Sequence, residues 1–172
     1  LAGKQASAGL SLGLYHKGVD ASSTPKDIET MMQLVYLNFT ALAKDEKALS
    51  STMQQLELML KNKNLQPEAV FSDSLQNARY AHNPFFAPLE MADLKNINAD
   101  RVLQMAKEMT ADAGQYTFTF AGNFDEATLR PLIEQYIASL PAKKTKVADK
   151  EVLTLAKGDV KCHFSRKMET PK

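Results

Sequence analysis

The sequence predicts an α+β domain, and three stretches carry that reading. Residues 116–141 read as a strand, a tight turn and an amphipathic helix. Residues 23–42 read as a capped helix, and residues 5–22 alternate weakly, as two short strands would. No repeat is visible within the chain.

Taken in order, QASAGLSLGLYHKGVDAS predicts strands over about 5–12 and 14–21, although glycine inside a strand weakens it or marks a bulge. Next, Ser23-Thr24-Pro25-Lys26-Asp27 carries a helix start, with Thr24 at the cap, Pro25 in the first turn and Asp27 completing a pattern like a capping box. The helix runs to about Leu42, with Ile28, Met31, Met32, Val35, Phe39 and Leu42 on one face and Leu34, Leu37 and Ala41 on another. Apolar on most sides, it is expected to be buried.

Asp45 opens a second helix to about Asn62, a surface helix whose buried stripe is Leu49, Met53, Leu56 and Leu60. Pro67 starts a third, with Val70, Phe71, Ser74, Leu75 and Ala78 inward. Two prolines in Asn83–Pro88 predict a loop without regular structure. A short turn at 90–96 leads to Asn98, which caps a helix carrying Val102, Leu103, Ala106 and Met109.

In the last well-patterned stretch, Tyr116, Phe118 and Phe120 alternate with Thr117, Thr119 and Ala121. Gly122 and Asn123 allow positive φ, and Asp125 caps a helix with Leu129, Leu132, Ile133, Tyr136, Ile137 and Leu140 at helical spacing. Pro131 lies too deep for a helix beginning at Asp125, so the sequence predicts either a true start near Thr128 or a kink. Pro141 marks the stop. Residues 142–150 are polar, basic and aperiodic, a linker pattern, and the tail suggests strands at Val152–Leu155 and Val160–Arg166 joined at Gly158-Asp159.

Composition narrows the function. A chain of 172 residues with 44% hydrophobic and 24% charged residues builds one ordinary globular core. A net charge of +1 argues against a dedicated nucleic-acid binder, which concentrates basic residues. No apolar run reaches bilayer-spanning length, and the start lacks the pattern of a signal peptide. The chain opens at Leu1 in mid-pattern, as an excised piece would. Cys162 is the single cysteine, which rules out an internal disulfide and a multi-cysteine metal site; an inert thiol is the expectation.

The residues offer no catalytic constellation. His16, His82 and His163 lie far apart in sequence and form no helix-face pair with a carboxylate, whereas zinc needs several converging donors. Gly122-Asn123-Phe124-Asp125 is a tight connection and not a phosphate cradle, since it lacks further glycines and a P-loop lysine, and Asp125 repels an anion. There is no G-x-S-x-G elbow, and Ser22, Ser23 and Ser72 suit loops and caps. The methionines fall mostly on helix stripes as core filler. Asn38-Phe39-Thr40 matches a glycosylation sequon inside a helix expected to be buried, which discounts it.

LAGKQASAGLSL, SSTPKDIETMMQLVYLNFT and FTFAGNFDEATLRPLIEQYIASLP, in that order and spacing, resemble the insulinase/pitrilysin family of zinc metallopeptidases (inverzincins), in particular the long bacterial members. The resemblance implies an insulinase-type metallohydrolase repeat, with an antiparallel or mixed sheet covered by helices, and a parent in which four such domains form a clamshell around a chamber. Family catalysis uses H-x-x-E-H with a further downstream Glu ligand: the histidines and that Glu hold zinc, and the motif's own Glu is the general base.

This chain departs from the family motif. H-x-x-E-H occurs nowhere in 1–172, and the downstream ligand position falls near Met53, with no carboxylate there and Glu57 a turn too late. The resemblance therefore implies a catalytically silent repeat, most like the third domain of long members. It assigns 1–141 to the later portion of that repeat, 142–150 to a linker and 151–172 to the beginning of the next repeat. Catalytic, cofactor-binding and metal residues are expected to be none here, with zinc in the parent's catalytic domain.

The expected partners are other domains of the same polypeptide and a peptide or protein substrate, with no nucleic acid and no membrane span. Exported bacterial relatives point to the cell envelope. The alternative function is a scaffold or partner-binding protein of the same fold without peptidase activity. A third, a free-standing small-molecule module, predicts a closed monomer with a deep pocket.

Overall fold

The structure is a computed structural model that describes residues 1–63, 65–143, 145–148 and 150–163. Its chain forms two compact units, one from Leu1–Lys44 with Ala99–Ala148, the other from Asp45–Asn98 with the described part of Asp149–Lys172. The α+β class stands, with an antiparallel hairpin and five helices among the described residues.

In the first unit, β1 (Ala6–Leu12) and β2 (Lys17–Ser23) pair antiparallel, Ala6 opposite Ser23 and Leu12 opposite Lys17. The Gly13 amide donates to the His16 carbonyl at 2.8 Å, closing the turn. A Cβ at Gly13 would meet the exposed His16 ring, which would have to turn away. This turn puts Leu14 and Tyr15 at the exposed tip, so the second strand starts three residues later than the sequence pattern suggests.

After β2, Pro25–Asp27 makes a 3-10 turn and α1 (Ile28–Thr40) follows. The expected capping box takes a different form. The Thr24 amide is already donated to the Gln5 carbonyl at 3.1 Å, so the Asp27 carboxylate accepts the Gln5 amide instead, at 3.0 Å. Thr24 Oγ1 donates to the same carboxylate at 2.9 Å, and Lys4 Nζ lies 3.3 Å away. Asp27 thus ties the helix start to the beginning of β1.

Met32, Val35 and Phe39 of α1 are buried and form the core with the sheet. Most of the helix is buried or half-buried, as expected, but one stripe of Glu29, Gln33, Leu37 and Thr40 is exposed, and Leu37 on it is 48% exposed. Ala113 and Leu140 join Val35 and Phe39, with Ala8, Val19 and Ile137 packed against them. α4 (Ala99–Thr110) turns Leu103, Ala106 and Met109 partly inward, while Val102 is half exposed.

Residues 116–121 are the main departure. Burial alternates as the sequence predicts, Tyr116, Phe118 and Phe120 half-buried and Thr117, Thr119 and Ala121 exposed. Yet the segment is not a paired strand: among the described residues the sheet holds β1 and β2 alone. Side-chain packing shapes it; Phe39 meets Tyr116 edge-on at 4.9 Å between centroids and Phe118 at 5.9 Å. The φ of Gly122 is 150°, and Asn123 is not among the residues with positive φ.

α5 (Glu126–Leu132) begins with Asp125 as its cap, the carboxylate accepting the Thr128 amide at 2.8 Å and its hydroxyl at 2.7 Å. The start near Thr128 is therefore replaced by the other alternative. Pro131 sits inside the helix, which widens at once into a π-turn over Ile133–Ile137, with the Ala138 amide donating to the Ile133 carbonyl at 2.9 Å. Pro131 lies past the first-turn amides that lack an intrahelical partner, so it withholds the amide that would bond the Ala127 carbonyl, and the widened turn follows directly after it. Leu129 and Leu140 are buried and Leu132, Ile133, Tyr136 and Ile137 half-buried, the stripe read from the sequence.

In the second unit, α2 (Glu46–Lys63) starts on an Asp45 cap that accepts the Ala48 amide at 2.9 Å. Its predicted stripe points inward, Leu60 fully and Leu49, Met53 and Leu56 partly. α3 (Pro67–Arg79) buries Val70 and half-buries Ser74 and Ala78. Phe71 and Leu75, expected inward, are 61% and 56% exposed, because Val70, Ser74, Asn77 and Ala78 form the inward face at helical spacing.

The proline-rich loop holds one 3-10 turn at Pro84–Phe86, capped by the Asn83 side chain, and Tyr80 stacks on Phe86 at 4.1 Å. The tail residues Val152–Leu155 and 160–163 are not strands; the Val152 carbonyl accepts from Asn83 Nδ2 and the Ala156 amide donates to Arg79 O, both at 2.8 Å, so side-chain and loop partners take up bonds a ladder would use. Residues 164–166 of the second expected tail strand lie outside the described residues.

Candidate functional site

A cleft of about 610 Å³ belongs to the first unit. One wall is β2, the other residues 115–124; Met31, Met32, Val35 and Phe39 of α1 form an apolar floor with Ile137. The hairpin turn, the Asp27 clasp and the aromatic packing of Phe39 on Tyr116 and Phe118 set these walls.

The cleft carries few reactive groups. Lys17 Nζ donates to Met109 O and Gln115 Oε1, each at 2.7 Å, and lies 5.0 Å from the Tyr116 ring centre. Its ammonium is thereby held as a structural clamp. Burial pushes the Tyr116 phenol above its usual value, and its hydroxyl donates to Met109 O at 2.8 Å. No nucleophile with an adjacent base lines the cleft. What the walls offer is extended backbone above a hydrophobic floor.

The histidines and the cysteine, set aside as site residues on sequence grounds, are dispersed. His16 stands at the hairpin tip, His82 after α3 with φ of 55°, and His163 in the tail, all exposed. Cys162 is exposed as well. Among the described residues no three His, Cys, Asp or Glu side chains come together to hold a metal. Met53 takes its place on the inner face of α2, with Glu57 half-buried and ion-paired to Lys61 at 2.7 Å. Asn38 is half-buried and its side chain donates to Leu34 O at 2.9 Å.

The sequence reading missed one polar centre. Asp112 is 4% exposed and its carboxylate accepts the Thr145 hydroxyl, the Lys143 amide at 2.7 Å, the Thr145 amide at 3.0 Å and the Gly114 amide at 3.0 Å. The Thr145 hydroxyl above all, then these amides, hold its carboxyl well below the usual carboxylate range. The stretch read as an exposed linker is thus anchored at its start. The signal was weak, because Asp112 and Thr145 lie far apart in sequence and neither belongs to a patterned segment.

No family model matches the chain. A "Zinc protease PQQL-like" protein of Arabidopsis thaliana is 28% identical over 116 residues, 67% of this chain and 12% of that protein. The fold matches a mutant of the ferredoxin protease FusC, solved in complex with Arabidopsis ferredoxin, with a TM-score of 0.62 and 16% identity over 87% of this chain and 16% of that one. The chain is thus similar in sequence to a zinc protease-like protein and shares its fold with part of an insulinase-like ferredoxin protease. It spans well under a fifth of the length of either relative. No helix among the described residues is long and apolar enough to cross a membrane.

Proposed function

We propose that this chain is a non-catalytic repeat domain of a longer zinc-dependent metallopeptidase, helping to wall the chamber in which peptides or proteins are hydrolysed. The observation that carries this reading is the 116-residue match to a zinc protease-like protein in a sequence that holds no H-x-x-E-H. Zinc and its general base belong, in this reading, to another domain. The cleft between β2 and 115–124, lined by backbone and apolar side chains, fits a structural role. Residues 1–141 are then the later portion of the repeat, 142–150 a linker and 151–172 the start of the next. A protein substrate follows by analogy with FusC, whose structure contains ferredoxin.

Metal analysis and a peptidase assay test it. The purified 172-residue chain is expected to hold no stoichiometric zinc and no chelator-sensitive peptidase activity; about one zinc per chain overturns the silent-domain reading. The longest polypeptide encoded in the same reading frame is expected to cleave unfolded protein, with activity lost to chelator. A zinc-free, inactive long polypeptide replaces the protease by the scaffold of the same fold.

A further inference from the structure

The cleft also has a geometry that the described residues do not use. β2 is hydrogen-bonded to β1 along one edge, and among the described residues nothing pairs with the other. In an antiparallel pair, alternate residues of a strand direct their N–H and C=O groups away from the partner. On β2 those groups border the cleft. Across it, residues 117–121 show the burial alternation of a strand, yet among the described residues their amides and carbonyls enter no backbone hydrogen bond.

Two extended backbones with unused hydrogen-bonding groups flank a slot floored by Met31, Met32, Val35 and Phe39. Extended backbone is normally satisfied by a neighbour, because an unpaired peptide group loses its hydrogen bond when water is excluded. Small-molecule pockets instead fix their ligand with a few converging polar side chains. Here the cleft-lining cation Lys17 is engaged by Met109, Gln115 and Tyr116.

We propose that the slot is the seat of one further β-strand, supplied by the same longer polypeptide, which pairs with β2 on one side and with 116–121 on the other. The occupant is an extended segment of about five to seven residues, the common strand length and a match to the seven residues of β2. Its alternate side chains are apolar and meet α1. The length of chain outside this structure favours a donor within the polypeptide: residues 1–172 span 12% of the plant relative and 16% of the FusC chain. Insertion turns the hairpin and the lone segment into one continuous sheet. This pairing holds for a protease and a scaffold alike, so its failure leaves the metal and activity tests untouched.

Amide hydrogen exchange tests it on two polypeptides: the 172-residue chain alone and the longest polypeptide of the same reading frame. In the chain alone, amides of 117–121 and the cleft-facing amides of β2 are expected to exchange fast. In the longer polypeptide, alternate amides along both segments are expected to slow by about 100-fold or more, as ladder amides do. Equal, fast exchange in both overturns the proposal. Slowing in the chain alone that disappears on dilution overturns it in favour of a second copy. Slowing that requires added casein overturns it in favour of a substrate groove.

Discussion

At the scale of single residues, two buried aspartates do the stapling that patterned segments do not. Asp27 joins the start of α1 to Gln5 at the beginning of β1, and Asp112 joins the end of α4 to Lys143 and Thr145. Backbone donation from Gln5 lowers the Asp27 carboxyl below its usual value, and the Thr145 hydroxyl leads in doing so for Asp112. Each carboxyl therefore releases its proton more readily in the folded chain than in the unfolded one, where Asp titrates near 3.9. The stability they confer is fully present above that value and is lost as pH falls toward the lower folded values. Thermal melts from pH 6 down to pH 2.5 are expected to show Tm falling below about pH 4. Asp112→Asn is expected to lower Tm at pH 6 and to flatten that acid-side fall; a variant whose Tm follows the wild-type pH curve in parallel rejects Asp112 as one of its sources.

At the scale of elements, periodicity located what it controls. The stripes on α2 and on Leu129–Leu140 were legible because each helix buries one face and repeats it every turn. The faces of α1 and α3 were less legible, since Leu37, Phe71 and Leu75 are apolar yet largely exposed. The 116–121 segment shows the limit most clearly. Alternation reports which side chains face a core, but pairing depends on a neighbour that local sequence does not name. The cleft was invisible for the same reason, being built from segments about a hundred residues apart. These differences have energetic consequences within one helix. Met32 is 0% exposed, so Met32→Ala is expected to cost about 2–5 kcal/mol through lost burial and a cavity. Leu37, on the opposite face, is expected to tolerate Ala within about 0.5 kcal/mol. Urea unfolding of both variants checks this, and equal losses would mean that α1 is buried all round.

For the whole molecule, the sequence order and the spatial units differ: the second unit interrupts the first between Lys44 and Ala99. An interruption of this kind is tolerated when the flanking ends lie close, because closure of the remaining chain then costs little. Lys44 Nζ and Asp100 Oδ1 are 2.9 Å apart, both within the first unit, which places those ends side by side. The pair is partly exposed and weak as a bond, but it serves as a ruler. The first unit also owns its core: Met32, Val35, Phe39, Ala113, Leu129 and Leu140 all lie in Leu1–Lys44 or Ala99–Ala148. Replacing 45–98 by a short Gly-Ser linker is therefore expected to leave a cooperatively folding chain. Near-UV circular dichroism should retain the signal of the Tyr116 cluster around Phe39, and Met32→Ala should destabilise the shortened chain as much as the full one, since independent regions contribute additively. A shortened chain with far-UV helix but no near-UV signal or cooperative melt would show that the two units fold only together.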